Sequence, residues 1–181
     1  MSKAVMLSIR PKWCEKIASG EKTIEVRKTK PKLETPFKCY IYCTLPKYPH
    51  EDFIATDYPR PQFYGGGKVI GEFTCERIAL IAYDGGELSS TTNAAFSPAT
   101  CLTRSEILAY IGDKGRCYGW HMSNLRIYDT PRELSEFRRA TDPCDSCHAE
   151  YTWECTDCKK LSGDIKRPPQ SWCYVEAIDN G

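Results

Sequence analysis

Gly20-Glu21-Lys22-Thr23-Ile24-Glu25-Val26-Arg27 joins a helix end to a strand, and its alternation sets the frame for the rest of the chain. Residues two apart in a strand share a face. Ile24 and Val26 therefore belong to the core, while Thr23, Glu25 and Arg27 share the opposite face. Lys22 enters at the first strand position, where its long stem can curl over that polar face. The expected product is a cation–carboxylate–cation cluster beside a glycine turn. On spacing alone, the same pattern also fits an exposed edge strand with a surface Glu–Arg pair, which contributes little to stability.

Upstream, residues 5–9 read as a short strand closed by Arg10-Pro11. Residues 12–19 then read as a short helix with Trp13, Ile17 and Cys14 toward one face and Gly20 as its C-terminal cap. Downstream, residues 37–45 form a Tyr- and Ile-rich strand. Residues 46–67 hold four prolines, at 46, 49, 59 and 61, and the run Gly65-Gly66-Gly67, so they read as a long loop. A strand over 68–82 is expected to bend near Gly71 or Cys75. Thr103-Arg104-Ser105-Glu106 is a capping box for a helix through Ile111, with Gly112 as its stop. Residues 117–128 suggest a strand pair or one bent strand, 131–139 a short helix, and 171–178 a last strand. About six strands with two or three short helices, in mixed order, define an α+β fold, a small mixed β-barrel rather than repeated βαβ units. One domain over residues 1–181 is expected, with an insertion at about 141–160.

A chain of 181 residues, 41% hydrophobic and 27% charged, can bury a real core and is not disordered by composition. It has no apolar run suited to a signal peptide or a membrane span. Its eleven cysteines are therefore expected to be thiols and metal ligands in a reducing cytoplasm rather than disulfides. The net charge of +1 hides an asymmetry: residues 1–38 carry ten Lys/Arg against four Asp/Glu, and the remainder carries fifteen against twenty. A basic N-terminal third suits a phosphate-bearing partner, although a solvated face would look the same.

Cys144-Asp-Ser-Cys147 and Cys155-Thr-Asp-Cys158 stand seven residues apart. Each CxxC turn points two sulfurs at one point, and two such turns complete a tetrahedron. Zinc suits four thiolates, and a filled shell leaves no position for substrate, so the expected site is structural. Cys144 to His148 also matches the CxxCH haem-attachment pattern, which belongs to exported proteins. An iron site and a redox-active CxxC are the remaining alternatives, and zinc is preferred to both.

The run Ser8-Ile9-Arg10-Pro11-Lys12-Trp13, followed by G-E-K-T-I-E-V-R, resembles the start of an ASCH domain, in the PUA-like superfamily of RNA-associated β-barrels. The G-x-K-x-x-E-x-R core matches at Gly20, Lys22, Glu25 and Arg27. The resemblance covers residues 5 to about 42 and resumes at Gly71-Glu72-Phe73 and at Trp120-His121-Met122-Ser123-Asn124-Leu125. The cysteine insertion lies outside the common domain, in a chain otherwise similar to ASCH proteins of bacteria and their phages.

That resemblance implies a cleft, lined by the motif strand, that binds RNA or a nucleotide. Lys22 and Arg27 would hold phosphate or base edges, and Glu25 would accept from an exocyclic amine. Lys12, Trp120 and His121 complete the nucleic-acid-binding candidates. Some small bacterial members hydrolyse N4-acetylcytidine with a Lys, a Thr and a Glu. Lys22 falls at the lysine position, and Glu25 stands where those members have the threonine. Other members are regarded as ribonucleases. A hydrolase acting on RNA or an N4-acylcytidine is thus the alternative function, with Lys22, Glu25 and His121 as candidate catalytic groups. A third reading is an adaptor that docks a protein partner through the zinc knuckle. Arg167-Pro168-Pro169-Gln170-Ser171-Trp172 either presents its polar residues to the cleft or frames the barrel.

Overall fold

The computed structural model describes residues 2–45, 65–92, 98–140 and 163–178. Most of the long proline-rich loop and the whole cysteine insertion lie outside the described residues.

The chain runs β1 (Lys3–Ile9), α1 (Pro11–Ala18), β2 (Ile24–Arg27), β3 (Phe37–Cys43), β4 (Val69–Asp84), β5 (Glu87–Ser90), α2 (Arg104–Ile111), β6 (Arg116–Arg132), β7 (Arg138–Arg139), β8 (Gly163–Asp164) and β9 (Trp172–Glu176). The strands form a single mixed sheet in the order β2-β6-β4-β3-β1-β9-β7-β8, with β5 paired to β4. β1 lies inside it, parallel to β3 and antiparallel to β9. That explains its nearly unbroken apolar sequence, since both faces of an interior strand are covered. Val5, Leu7 and Ile9 pack with Ile17, Phe73 and Trp120, while Ala4 and Met6 pack on the other face with Tyr40, Phe137 and Val175. α2 covers a third cluster built on Ile24, Val26, Ile81, Ile107 and Ile111.

The fold is mixed α+β, and the strand path is that of a large open sheet. A side chain ties the β2 edge back to β1: Arg27 at the end of β2 donates to Ser8 O at 2.8 Å. β4 bends where its sequence suggested, with register shifts against β6 between Val69 and Gly71, Glu72 and Thr74, and Cys75 and Arg77. A Cβ on Gly71 would sit 2.5 Å from the carbonyl oxygen of Arg126, so only glycine lets the two strands approach there. The capping box of α2 forms in full, Glu106 N bonding Thr103 Oγ1 and Thr103 N bonding Glu106 Oε2.

Two expectations need correction. Residues 131–139 are not a helix. Pro131 and Arg132 end β6, Leu134–Glu136 make one 3-10 turn, and β7 follows. Glu136 caps that single turn through Glu133 N at 2.7 Å, and the buried Phe137 then returns the chain to the sheet. Among the described residues the strand count also rises from about six to nine, because β5 is a short partner to the far end of β4, and β7 and β8 are two-residue edge pairings too brief to leave a periodicity.

Candidate functional site

Gly20, with φ of 80°, follows the last turn of α1 and reverses the chain toward the sheet. A residue with a Cβ is strained in that conformation. The turn is fixed by Lys22 N bonding Lys16 O at 2.8 Å and Thr23 N bonding Ala99 O at 3.0 Å. Lys22 is thereby placed to send its side chain under the 3-10 turn Pro98–Thr100.

There Lys22 is 2% exposed, and its ammonium donates to Ile24 O at 2.9 Å and Thr100 O at 2.7 Å and pairs with Glu25 Oε2 at 3.3 Å. An ammonium has three protons, so these partners take up all of them. Arg27 holds the other carboxylate oxygen, Nη2 lying 3.0 Å from Glu25 Oε1. Its Nη1 reaches Ser171 O at 3.3 Å. Among the described residues, Arg27 Nε is buried with no hydrogen-bond partner. The polar face of β2 is therefore a buried charged cluster, and the exposed edge strand is excluded, since Glu25 and Arg27 are only 6% and 7% exposed.

The cluster lines a cleft of about 860 Å³. One wall is α1 with Trp13, a second is α2 with Glu106 and Tyr110, and a third is the Pro168-Pro169-Gln170-Ser171 segment. That last wall is pinned to the end of β1 by Ser8 N to Ser171 O at 3.0 Å and Ser8 Oγ to Pro169 O at 2.5 Å. Arg10, Lys22, Arg27 and Lys28 line the cleft against two carboxylates, Glu25 and Glu106, so it is electropositive. Glu106 is engaged in the cap of α2, whose hydrogen bonds from Thr103 hold its carboxyl below the usual range. Glu25 is then the carboxylate of the cleft wall that is not engaged in a helix cap. A carboxylate offers about four lone-pair sites. Lys22 and Arg27 occupy one on each oxygen, so lone pairs remain that can accept further donors.

The remaining sequence candidates separate along β6. Trp120 stands opposite Glu25 and shares its face, but it is fully buried beneath the cleft, 5.8 Å from the ring of Phe37 and 6.2 Å from that of Trp172. His121 stands opposite Ile24 and therefore faces away. Its ring lies 3.4 Å from Arg77 Nη2 and 3.4 Å from Thr92 Oγ1, and burial, followed by the Arg77 charge, lowers its pKa. Lys12 is exposed, with its ammonium 4.8 Å from the ring of Trp13, beside the cleft mouth. The cleft also includes residues without a distinguishing local signal: Thr44, Thr29, Leu102 and Tyr110. Cys144, Cys147, Cys155 and Cys158 lie outside the described residues, among which no cluster of metal-binding side chains occurs.

A mixed α+β sheet with two flanking helices, carrying its charged cleft where β2 meets the end of β1, has an ASCH/PUA-like fold. The crystal structure of ASCH from Zymomonas mobilis matches 96% of this chain and 87% of its own, with a TM-score of 0.57 and 17% identity. A tyrosine-to-phenylalanine mutant of that protein matches 97% of this chain and 91% of its own at 16% identity, and a serine-to-alanine mutant matches 96% and 88% at 16% identity, both with a TM-score of 0.57. No protein-family model matches the sequence, and no curated protein matches it. At such identities the likeness establishes the fold.

Proposed function

We propose that the cleft binds a nucleotide, either a unit of RNA or a modified nucleotide, with Glu25 accepting hydrogen bonds from the base. The observation that carries this reading is the buried Lys22–Glu25–Arg27 cluster on the cleft wall. Two cations and one anion leave a net positive charge, and no second carboxylate pairs with Lys22 or Arg27 among the described residues. A buried charged group of this kind is seldom the most stabilising choice for a core, because desolvation offsets much of the attraction. It is well suited to recognition, since a fixed carboxylate discriminates sharply for donors such as an exocyclic amine. Trp13 and Tyr110 offer faces on which a base can stack, worth roughly 1–3 kcal/mol per base. Arg10, Lys12 and Lys28 supply exposed cations for phosphate.

The experiment is binding of short single-stranded RNAs and nucleoside monophosphates at several salt concentrations. Each phosphate neutralised on a single strand contributes about −0.7 to the slope of log K against log salt. Contacts by Arg10, Lys12 and Lys28 therefore contribute about −2 to that slope for RNA. No affinity, or affinity indifferent to salt, contradicts the reading. The alternative of hydrolysis has one favouring observation, the contact of Lys22 Nζ with Glu25 on the cleft wall. Incubation with N4-acylcytidines and RNA, followed by mass detection, separates the two: the binding reading expects both to be recovered intact.

We also propose that Cys144, Cys147, Cys155 and Cys158 hold one structural zinc ion. Four-thiolate zinc sites contribute roughly 10–16 kcal/mol of apparent binding energy to ordering their segment. Metal analysis is expected to give about one zinc per chain, a stoichiometry that a Cys147→Ser, Cys155→Ser variant loses. Chelation is expected to open residues 141–160 to proteolysis before the rest of the chain. A protein free of zinc after preparation without chelator, or one that unfolds everywhere at once on chelation, contradicts this.

A further inference from the structure

Lys28-Thr29-Lys30-Pro31-Lys32 leaves the cleft at the end of β2 and carries three exposed lysines in five residues without an acid among them. It is held firmly in place. Thr29 Oγ1 accepts from Trp172 Nε1 at 2.9 Å, Lys32 N donates to Tyr174 Oη at 2.8 Å, and Pro31 is buried between them. The ammonium of Lys28 lies 5.3 Å from the ring of Tyr110, and that of Lys30 lies 5.9 Å from the ring of Tyr118. Among the described residues, no carboxylate pairs with any of the three lysines.

A solvated basic loop does not usually have both a side-chain hydroxyl and a backbone N–H tied to aromatic residues of one strand, as Thr29 and Lys32 are tied to Trp172 and Tyr174 of β9. Here the anchoring fixes where the charges stand. Lys28 and Thr29 line the cleft, while Lys32 lies beyond it, beside Tyr174 of β9. Successive lysines are two residues apart, so their Cα atoms are separated by at most about 7 Å. That is comparable to one nucleotide of an extended strand.

We propose that this strap is a phosphate track for a single-stranded polynucleotide, so that the base held in the cleft belongs to a longer strand rather than to a free nucleoside. The inference rests on the proposed function and extends it from one nucleotide to a polymer. Arg27 and Lys28 meet the nucleotide at the cleft, and Lys30 and Lys32 meet the phosphates that follow it. A duplex is disfavoured because its bases are stacked and paired and cannot enter a cleft between two helices without being extracted.

The test compares the wild type with a Lys30→Gln, Lys32→Gln variant, neither residue lining the cleft. Probes are a labelled eight-nucleotide RNA, the DNA of the same sequence, the nucleoside 5′-monophosphates, and polyglutamate as competitor. The variant is expected to bind the RNA about tenfold more weakly at low salt, with a salt slope shallower by about 1.4, and to bind monophosphates as the wild type does. DNA bound like RNA places the contacts on the shared phosphodiester backbone; RNA bound more tightly adds a contact to the 2′-hydroxyl. Either result upholds the track. RNA affinity unchanged in the variant overturns it, as does a wild type that binds monophosphates but gains nothing from added length. Displacement of RNA by an equal charge of polyglutamate also overturns it. If Glu25→Gln leaves both RNA and monophosphate binding intact, the cleft reading itself fails, and that outcome is distinct from failure of the strap alone.

Discussion

Glu25→Gln is expected to weaken binding of both short RNA and nucleotides by about thirtyfold or more, the equivalent of about 2 kcal/mol or greater. The substitution keeps the shape of the side chain and removes its charge. It also replaces one of two acceptor oxygens with an NH2 group that faces donors. Against Lys22 and Arg27 the amide oxygen can satisfy only one cation well. Whichever way the amide turns, it presents either repulsion to a cation or a donor to the incoming base. Truncating one partner of a buried, hydrogen-bonded charge pair typically costs 2–5 kcal/mol. Glu25→Gln is also expected to lower stability, because two nearly buried cations lose their shared counter-charge. Binding should therefore be measured alongside a denaturant titration, under conditions where the variant is fully folded. Affinity within a factor of two of the wild type in a folded variant would remove Glu25 from recognition.

Lys22→Met acts differently. Methionine preserves the unbranched stem in its buried position but leaves Ile24 O, Thr100 O and one Glu25 oxygen without their donor. Removing one partner of a buried ion pair costs about 3–5 kcal/mol. The loss should appear as a lower denaturation midpoint with an unchanged slope. It should be accompanied by faster amide exchange around residues 98–103, where Thr23 N to Ala99 O and Lys22 Nζ to Thr100 O tie the segment to β2. A loss below about 1 kcal/mol would mean that the ammonium does not hold that segment in place. On the proposed reading the two motif positions differ: Lys22→Met should lower stability, and Glu25→Gln should weaken binding.

Local rules made some of this site legible. Period-two alternation placed Glu25 and Arg27 on one face, Gly20 marked the turn that admits Lys22, and the Thr103–Glu106 capping box located the helix that forms a wall. What local rules do not contain is which distant elements meet. Trp13 lies on an apolar helix face and has the pattern of a core residue, yet it is only partly buried and borders the cleft. Tyr110 and Thr44 reach the same space from α2 and from the end of β3, through contacts between segments far apart in the chain. Trp120 and His121 are adjacent in a strand and so must face opposite ways. Sequence offered both for the cleft, and only the pairing of β6 with β2 decides which shares the face of Glu25. β7 and β8, two residues each, are too brief to show a period, and β5 (Glu87-Leu-Ser-Ser90) carries no β-branched or aromatic residue to mark it as a strand.

The Glu25 carboxylate is proposed to meet the base directly, with the Arg27 guanidinium beside it. Nuclear magnetic resonance of the Glu25 carboxyl carbon and the Arg27 Nε–H during titration with a short single-stranded RNA tests it most directly. Arg27 Nε is buried and has no partner among the described residues, so its resonance should respond to a ligand through the change in field at the guanidinium. Both signals are expected to shift together, with one dissociation constant equal to that measured for the RNA. Saturable RNA binding that leaves both signals in place would contradict the claim.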